Sequence, residues 1–191
     1  MWKRGPSTAD QARAQRFEQV VLPHLDAAYN LARWLTRDGH NAQDVVQEAY
    51  LRAYKFFDSF HGDHARAWLL KIVRNTYYTG LKQDHAGNFH VPFEEDSHSL
   101  DEAEPLFSGN SAADDPERIL MQHDARQLLT HALEQLPVEF REVVILRELE
   151  DLSYKAIARL VDIPVGTVMS RLARGRQRLA ETFQQMHGVL P

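Results

Sequence analysis

Leu152-Ser153-Tyr154-Lys155-Ala156-Ile157-Ala158-Arg159-Leu160-Val161-Asp162-Ile163-Pro164-Val165-Gly166-Thr167-Val168-Met169-Ser170-Arg171-Leu172-Ala173-Arg174-Gly175-Arg176 reads as two helices joined by a sharp corner. Ser153 is suited to N-cap the first helix. Ala156, Ile157 and Leu160 give that helix an apolar face. Pro164 suits the first turn of the second helix, where its missing N–H costs nothing. Val168 and Leu172 continue an inward stripe, and Thr167, Ser170, Arg171 and Arg174 fall on the other side. This is the plan of a helix-turn-helix, whose second helix enters the major groove of DNA.

The charge pattern supports that plan. From Pro164 to Ala180 the charged side chains are Arg171, Arg174, Arg176 and Arg178. A merely solvated helix face mixes signs to gain i,i+4 pairs. An unmixed cationic face repels itself unless an anion partners it.

With 191 residues, one or two domains are expected. Asp and Glu outnumber Lys and Arg by 27 to 22, so any cationic surface must be local. There is no cysteine, which removes disulfides, thiolate metal sites and thiol switches. No window is apolar for long enough to span a membrane. The residues behind Lys3 and Arg4 lack the apolar core of a signal peptide, so a cytoplasmic protein is expected, without membrane insertion.

Upstream, the apolar spacing predicts a helix over 12–37, with Phe17, Val20, Val21, Leu25, Ala28, Leu31, Ala32 and Leu35 inward. Pro23 is positioned to kink or break it. Gly39 is expected to cap its end at positive φ. A second helix is expected over 42–57, with Val45, Val46, Ala49, Tyr50, Ala53, Phe56 and Phe57 inward. Asp44, Gln47, Glu48, Leu51 and Arg52 lie largely off that face. A loop over 58–63 leads to a third helix over 64–83, where Trp68, Leu69, Ile72, Val73, Thr76, Tyr77 and Leu81 are candidates for burial. Between 84 and 115 the periodicity disappears; nine acids stand there without one Lys or Arg. Such a stretch buries too little to fold alone and reads as a linker. Helical pattern resumes at Asp115-Pro116-Glu117, continues to about 136, restarts over 137–149 and ends near 186. The expected fold is all-α: a helical domain over 12–84, an acidic linker over 85–115, and a four-helix domain over 116–186.

With both halves read, the chain resembles the bacterial sigma-70 family of transcription initiation factors, in its small two-domain extracytoplasmic-function group. Three stretches carry the resemblance. The helix Asp44-Val45-Val46-Gln47-Glu48-Ala49-Tyr50-Leu51-Arg52-Ala53-Tyr54 is similar to the family's polymerase-binding helix. Phe60-His61-Gly62-Asp63, with Ala67-Trp68-Leu69-Leu70-Lys71-Ile72-Val73-Arg74-Asn75, is similar to the segment that opens and reads the −10 promoter element. Leu136-Pro137, Arg141, Leu146 and the helix-turn-helix are similar to the −35-reading domain. The family often has Glu where this chain has Ala156, Lys at Met169 and Ala at Gly175. Met169 removes one possible phosphate contact, and Gly175 weakens its helix by roughly 1 kcal/mol relative to Ala.

The resemblance implies a protein that catalyses no covalent step and needs no cofactor or metal. Its partners would be core RNA polymerase, promoter DNA and an anti-sigma factor that restrains it until a stress or envelope signal, and it would be a monomer when free. On the −35 side, Arg171 and Arg174 are suited to reading guanine edges, and Thr167 and Ser170 to close groove approach. Arg176, Arg178 and Lys155 suit phosphates, which position without specifying. On the −10 side, Arg66, Trp68, Lys71, Arg74, Tyr77, Tyr78 and Lys82 interleave cations with rings, as captured single strands require. Asn75 adds a group for a base edge. Phe60, His61 and Asp63 would help to wall a pocket for a flipped base, with Phe60 and Trp68 equally at home in a core. Asp44, Val45, Gln47, Glu48, Leu51 and Arg52 would meet core polymerase.

Two other readings are weighed against this one. A helix-turn-helix regulator acting independently of core polymerase would be a stable homodimer, and it has no use for a helix built to hold melted strands. A metal-dependent hydrolase would draw on the histidines, yet no Glu-x-x-His pairs recur as a helical di-metal site requires.

Overall fold

The structure, a computed structural model, describes residues 8–62, 64–87 and 116–187. These residues are helical, without strands, and fall into two compact units centred on 8–87 and 116–187. The stretch over 88–115, most of the expected linker, lies outside the described residues, as does Asp63.

The first unit contains α1 (Thr8–Val21), α2 (Leu25–Thr36), α3 (Gly39–Phe56) and α4 (Ala65–Gly87). Helices α2, α3 and α4 pack against one another. Leu31, Ala32 and Leu35 of α2 meet Ala42, Val46, Ala49 and Ala53 of α3 and Leu69, Leu70 and Val73 of α4 in a common core. The buried face of α3 is mostly alanine, which lets its neighbours approach closely.

The single helix expected over 12–37 is two helices. A 3₁₀ turn at Leu22–His24, with Pro23 in its first turn, separates α1 from α2. This re-phases the chain, and Leu25, expected inside, is 46% exposed. The expected cap is also corrected. Arg37, not Gly39, takes the left-handed conformation at φ 61°. Asp38 then N-caps α3, its carboxylate accepting the Asn41 N–H at 2.7 Å. Helix α3 therefore starts three residues before the expected 42, because a capping Asp outranks a flexible Gly as a start signal.

At the other end of α3, Phe56 was expected inside but is 54% exposed, whereas Phe57 is buried. A 3₁₀ turn at Phe57–Ser59 tightens the chain there. Phe17 of α1 meets Tyr50, Tyr54 and Phe57 edge-on, with centroids 5.2–6.2 Å apart. Phe60 stacks on Phe57 and lies 4.9 Å from the Trp68 ring. This aromatic cluster pins the loop before α4; edge-on ring pairs add about 0.5–1.5 kcal/mol each beyond area burial.

The second unit contains α5 (Pro116–Glu134), α6 (Val138–Val144), a π-helical turn (Ile145–Leu149), α7 (Tyr154–Val161) and α8 (Val165–His187). Every residue from Phe140 to Leu146 is buried, including Arg141 and Glu142. A helix enclosed on all sides has no solvent face, so amphipathic periodicity fails there. The regular helix expected over 137–149 instead widens after Val144, where the Glu150 N–H reaches the Ile145 carbonyl. Ser153 N-caps α7 as expected, its hydroxyl accepting the Ala156 N–H at 3.2 Å. Helix α7 stops at Asp162, in the left-handed region at φ 60°, with the Ile163 N–H returning to the Ala158 carbonyl. Pro164 stands one residue before α8, not within its first turn, and its carbonyl accepts the Thr167 and Val168 N–H groups.

Gly175 has a packing role that helix propensity hides. A Cβ there would sit 2.8 Å from Val144 Cγ2 and 3.6 Å from the Phe140 carbonyl oxygen. Gly175→Ala gains roughly 1 kcal/mol of propensity. Overpacking costs about 1–3 kcal/mol, and the β-branched Val144 has little rotamer freedom to escape. The expected outcome is a net loss of about 1 kcal/mol in urea unfolding. In a Val144→Ala background the same change should become stabilising; stabilisation in the parent chain would refute the packing argument.

Candidate nucleic-acid interface

Helix α8 turns Val168, Leu172 and Gly175 inward, which fixes what faces out. At 3.6 residues per turn, Gly166, Ser170 and Gln177 form the centre of the opposite face, with Arg174 beside them. All four are exposed. Met169 and Ala173, also exposed, lie to one side; Thr167 and Arg171, half-buried, lie to the other. Ser170 Oγ donates to the Thr167 carbonyl at 3.0 Å, so toward a ligand it can act as an acceptor. Arg171 and Arg174 make no ion pair among the described residues.

The other cations assigned to this face are engaged within the unit. Both Nε and a terminal nitrogen of Arg176 donate to Glu148 Oε1. That hydrogen bond, then the carboxylate's charge, pushes the Arg176 pKa up. Arg178 places its guanidinium 5.0 Å from the Phe140 ring centroid. The run of Arg on α8 is thus partly balanced from the π turn, which the charge count along α8 alone could not reveal. Lys155 is exposed on α7.

In the first unit, Lys71, Arg74, Asn75 and Tyr78 recur at i, i+3, i+4 and i+7 on α4 and so share a face. Lys71 and Asn75 are exposed. The Arg74 guanidinium lies 4.6 Å from the Tyr78 ring centroid, and Tyr77 meets Tyr78 edge-on at 5.0 Å. His61 is exposed, with its ring Nδ1 2.9 Å from the Ser59 carbonyl oxygen. Phe60 is buried and Trp68 half-buried; their rings belong to the aromatic cluster and support the loop from inside. Gly62 adopts φ 150°, open to glycine.

On α3, Asp44, Gln47 and Glu48 are exposed around Leu51, which is 62% exposed. Val45 is half-buried. Arg52 donates to Glu48 at 2.7 Å and reaches Thr76 Oγ1 of α4 at 3.5 Å, so it braces the helix pair. Sequence reading missed the apolar cleft beside this strip, lined by Leu22, Leu25, Tyr29, Val46, Gln47 and Tyr50. The break at Pro23 was its only signal. Burial, then the Asp26 charge, pushes the Tyr50 pKa up to about 12; its hydroxyl donates to the Val21 carbonyl at 3.3 Å.

Comparison with known proteins gives the family. The sigma-70 region 2 family matches residues 20–86, and sigma-70 region 4 matches residues 126–179. The ECF RNA polymerase sigma-E factor of Escherichia coli is 38% identical over 146 residues, covering 75% of this chain and 74% of that protein. The chain belongs to the sigma-70 family. Its place in the extracytoplasmic-function (ECF) group is shared with the ECF RNA polymerase sigma factor SigE of Mycolicibacterium smegmatis. That protein is 32% identical over 92% of this chain, and the chain spans 64% of its length. Among solved structures, the sigma factor RpoE of Bartonella quintana, in complex with the anti-sigma factor NepR, superposes with a TM-score of 0.64. It is 28% identical over 89% of this chain and 98% of its own.

The α3 strip and the α4 face both fall inside the sigma region 2 match, and the α8 face inside the region 4 match. Among the described residues no helix of this sigma factor is long and apolar enough to cross a membrane, and no cluster of His, Asp and Glu is placed to hold a metal ion.

Proposed function

We propose that this sigma factor binds core RNA polymerase and directs promoter-specific initiation, reading −35 duplex DNA with α8 and capturing melted −10 DNA with α4. The supporting observation is the outward face of α8, where small side chains at Gly166, Ser170 and Ala173 surround the exposed Arg174 and leave room for close approach to base edges. Thr167 and Arg171 flank that face; Lys155 contacts phosphates, and Arg176 and Arg178 do so on leaving Glu148 and the Phe140 ring that hold them. On α4, Lys71, Arg74, Asn75 and Tyr78 supply cations, an amide and a ring to a single strand, with His61 on the preceding loop and Phe60 and Trp68 supporting that loop from inside; Asp63, expected to act beside His61, lies outside the described residues. Asp44, Val45, Gln47, Glu48, Leu51 and Arg52 present the polymerase surface. The protein works as a cytoplasmic monomer with domains over 12–84 and 116–186, and an anti-sigma factor restrains it, as the B. quintana complex suggests.

Run-off transcription tests the whole reading. Purified chain added to sigma-free core polymerase, on a library of promoter fragments, should give initiation at specific sites. Tight operator binding as a homodimer, with core polymerase left inert, would overturn it in favour of an independent regulator.

Asn75→Ala tests the −10 half. The side chain is exposed, so its loss should leave the melting temperature and polymerase binding unchanged. Permanganate reactivity of thymines in the opened promoter should fall at least several-fold. A depressed melting temperature with a normal footprint would return Asn75 to a structural role, since stranding a buried partner costs about 1–3 kcal/mol.

A further inference from the structure

The outward face of α8 carries a side chain that polar readout does not use. Met169 is 53% exposed, and Val165, one turn earlier, is 38% exposed. With exposed Ala173 they form an apolar stripe at i, i+4 and i+8 along one edge of the face centred on Ser170. Exposed apolar groups beside a cation on a groove-reading helix have a specific counterpart. A thioether donates no hydrogen bond, and its sulfur is a weak acceptor. Met169 therefore has little means of telling one polar base edge from another. Major-groove edges offer one apolar group, the thymine 5-methyl. The methionine chain is unbranched and flexible enough to close over it.

We infer that Met169, backed by Val165 and Ala173, is a specificity-determining residue that reads a thymine methyl in the −35 element. This rests on the assignment of α8 as the −35-reading helix. Covering one methyl-sized group is worth about fourfold in affinity, the equivalent of ~0.8 kcal/mol.

The test uses holoenzyme reconstituted from core polymerase and the full chain. A preferred −35 element is first selected from a randomised library. Each thymine in it is then replaced singly by deoxyuridine, which keeps every hydrogen-bonding group and removes only the methyl. Binding is compared for the parent and Met169→Ala, a surface change that leaves the core intact. The expected result is one thymine at which deoxyuridine weakens the parent about fourfold and leaves Met169→Ala unaffected. A selected element without thymine, no deoxyuridine effect at any position, or an equal effect on both proteins would each overturn the inference while the −35 assignment stands. Selection of no preferred element at all would instead remove that assignment, and this inference with it.

Discussion

Arg141→Met should destabilise the second unit by about 3 kcal/mol, roughly 100-fold in its folding equilibrium. Arg141 is 2% exposed, and one terminal nitrogen donates to the carbonyls of Glu134 and Leu136 at 3.2 and 3.3 Å. These carbonyls close the C-terminal end of α5, where backbone acceptors lack helical donors. The guanidinium also sits at the negative end of that helix's dipole. Met keeps the aliphatic bulk and removes every donor, so the cost is that of stranded buried carbonyls, about 1–3 kcal/mol each. Arg141→Lys should recover part of the loss by keeping the charge and up to three donors. Urea unfolding followed by circular dichroism measures both. A change below about 1 kcal/mol for the Met variant would show that water satisfies the carbonyls and that Arg141 is not what holds α5 to α6.

Arg174→Ala should weaken −35 recognition by about 1–3 kcal/mol and relax base preference at one position. Arg174 is exposed on the outward α8 face with no ion pair among the described residues, whereas Arg171 is half-buried and Arg176 is paired. Arg178→Ala is the informative contrast. Its guanidinium lies over Phe140, so its loss should lower stability and leave preference intact. Binding selections on randomised −35 sites, run with both variants, separate the two roles. An unchanged preference for Arg174→Ala, with a salt dependence shallower by about one counterion, would make it a phosphate contact instead.

The parts of the fold that were legible share one property: local chemistry decides them. Ser153 capping α7 and the inward Val168 and Leu172 follow from short-range periodicity and side-chain donors. The parts that were not legible depend on competition. Arg37 rather than Gly39 is left-handed because Asp38 captures the next helix's first amides. Leu25 turns outward because the 3₁₀ turn before it shifts the helical phase, which periodicity across the break cannot register, and Phe57 rather than Phe56 turns inward where α3 ends and the second 3₁₀ turn begins.

For the candidate site, the residue pattern alone settles that α8 is a cationic helix following a tight corner and that α4 alternates rings with cations, because both are properties of spacing. It settles family membership in the same way, through ordered motifs. It does not settle which of those side chains are spoken for. Glu148 takes Arg176, Phe140 takes Arg178, Thr76 and Glu48 take Arg52, and the Phe17–Phe57 cluster takes Phe60. Glu148, Phe140 and Thr76 lie 28, 38 and 24 residues from the cations they hold, and Phe17 lies on α1, a different element from the loop that carries Phe60. Packing brings them within reach, and a cation's availability to DNA depends on whether an internal acceptor or ring already holds it. The same is true of Gly175: its helical cost is local, but its reason is the Val144 methyl brought against it by the packing of α6 on α8.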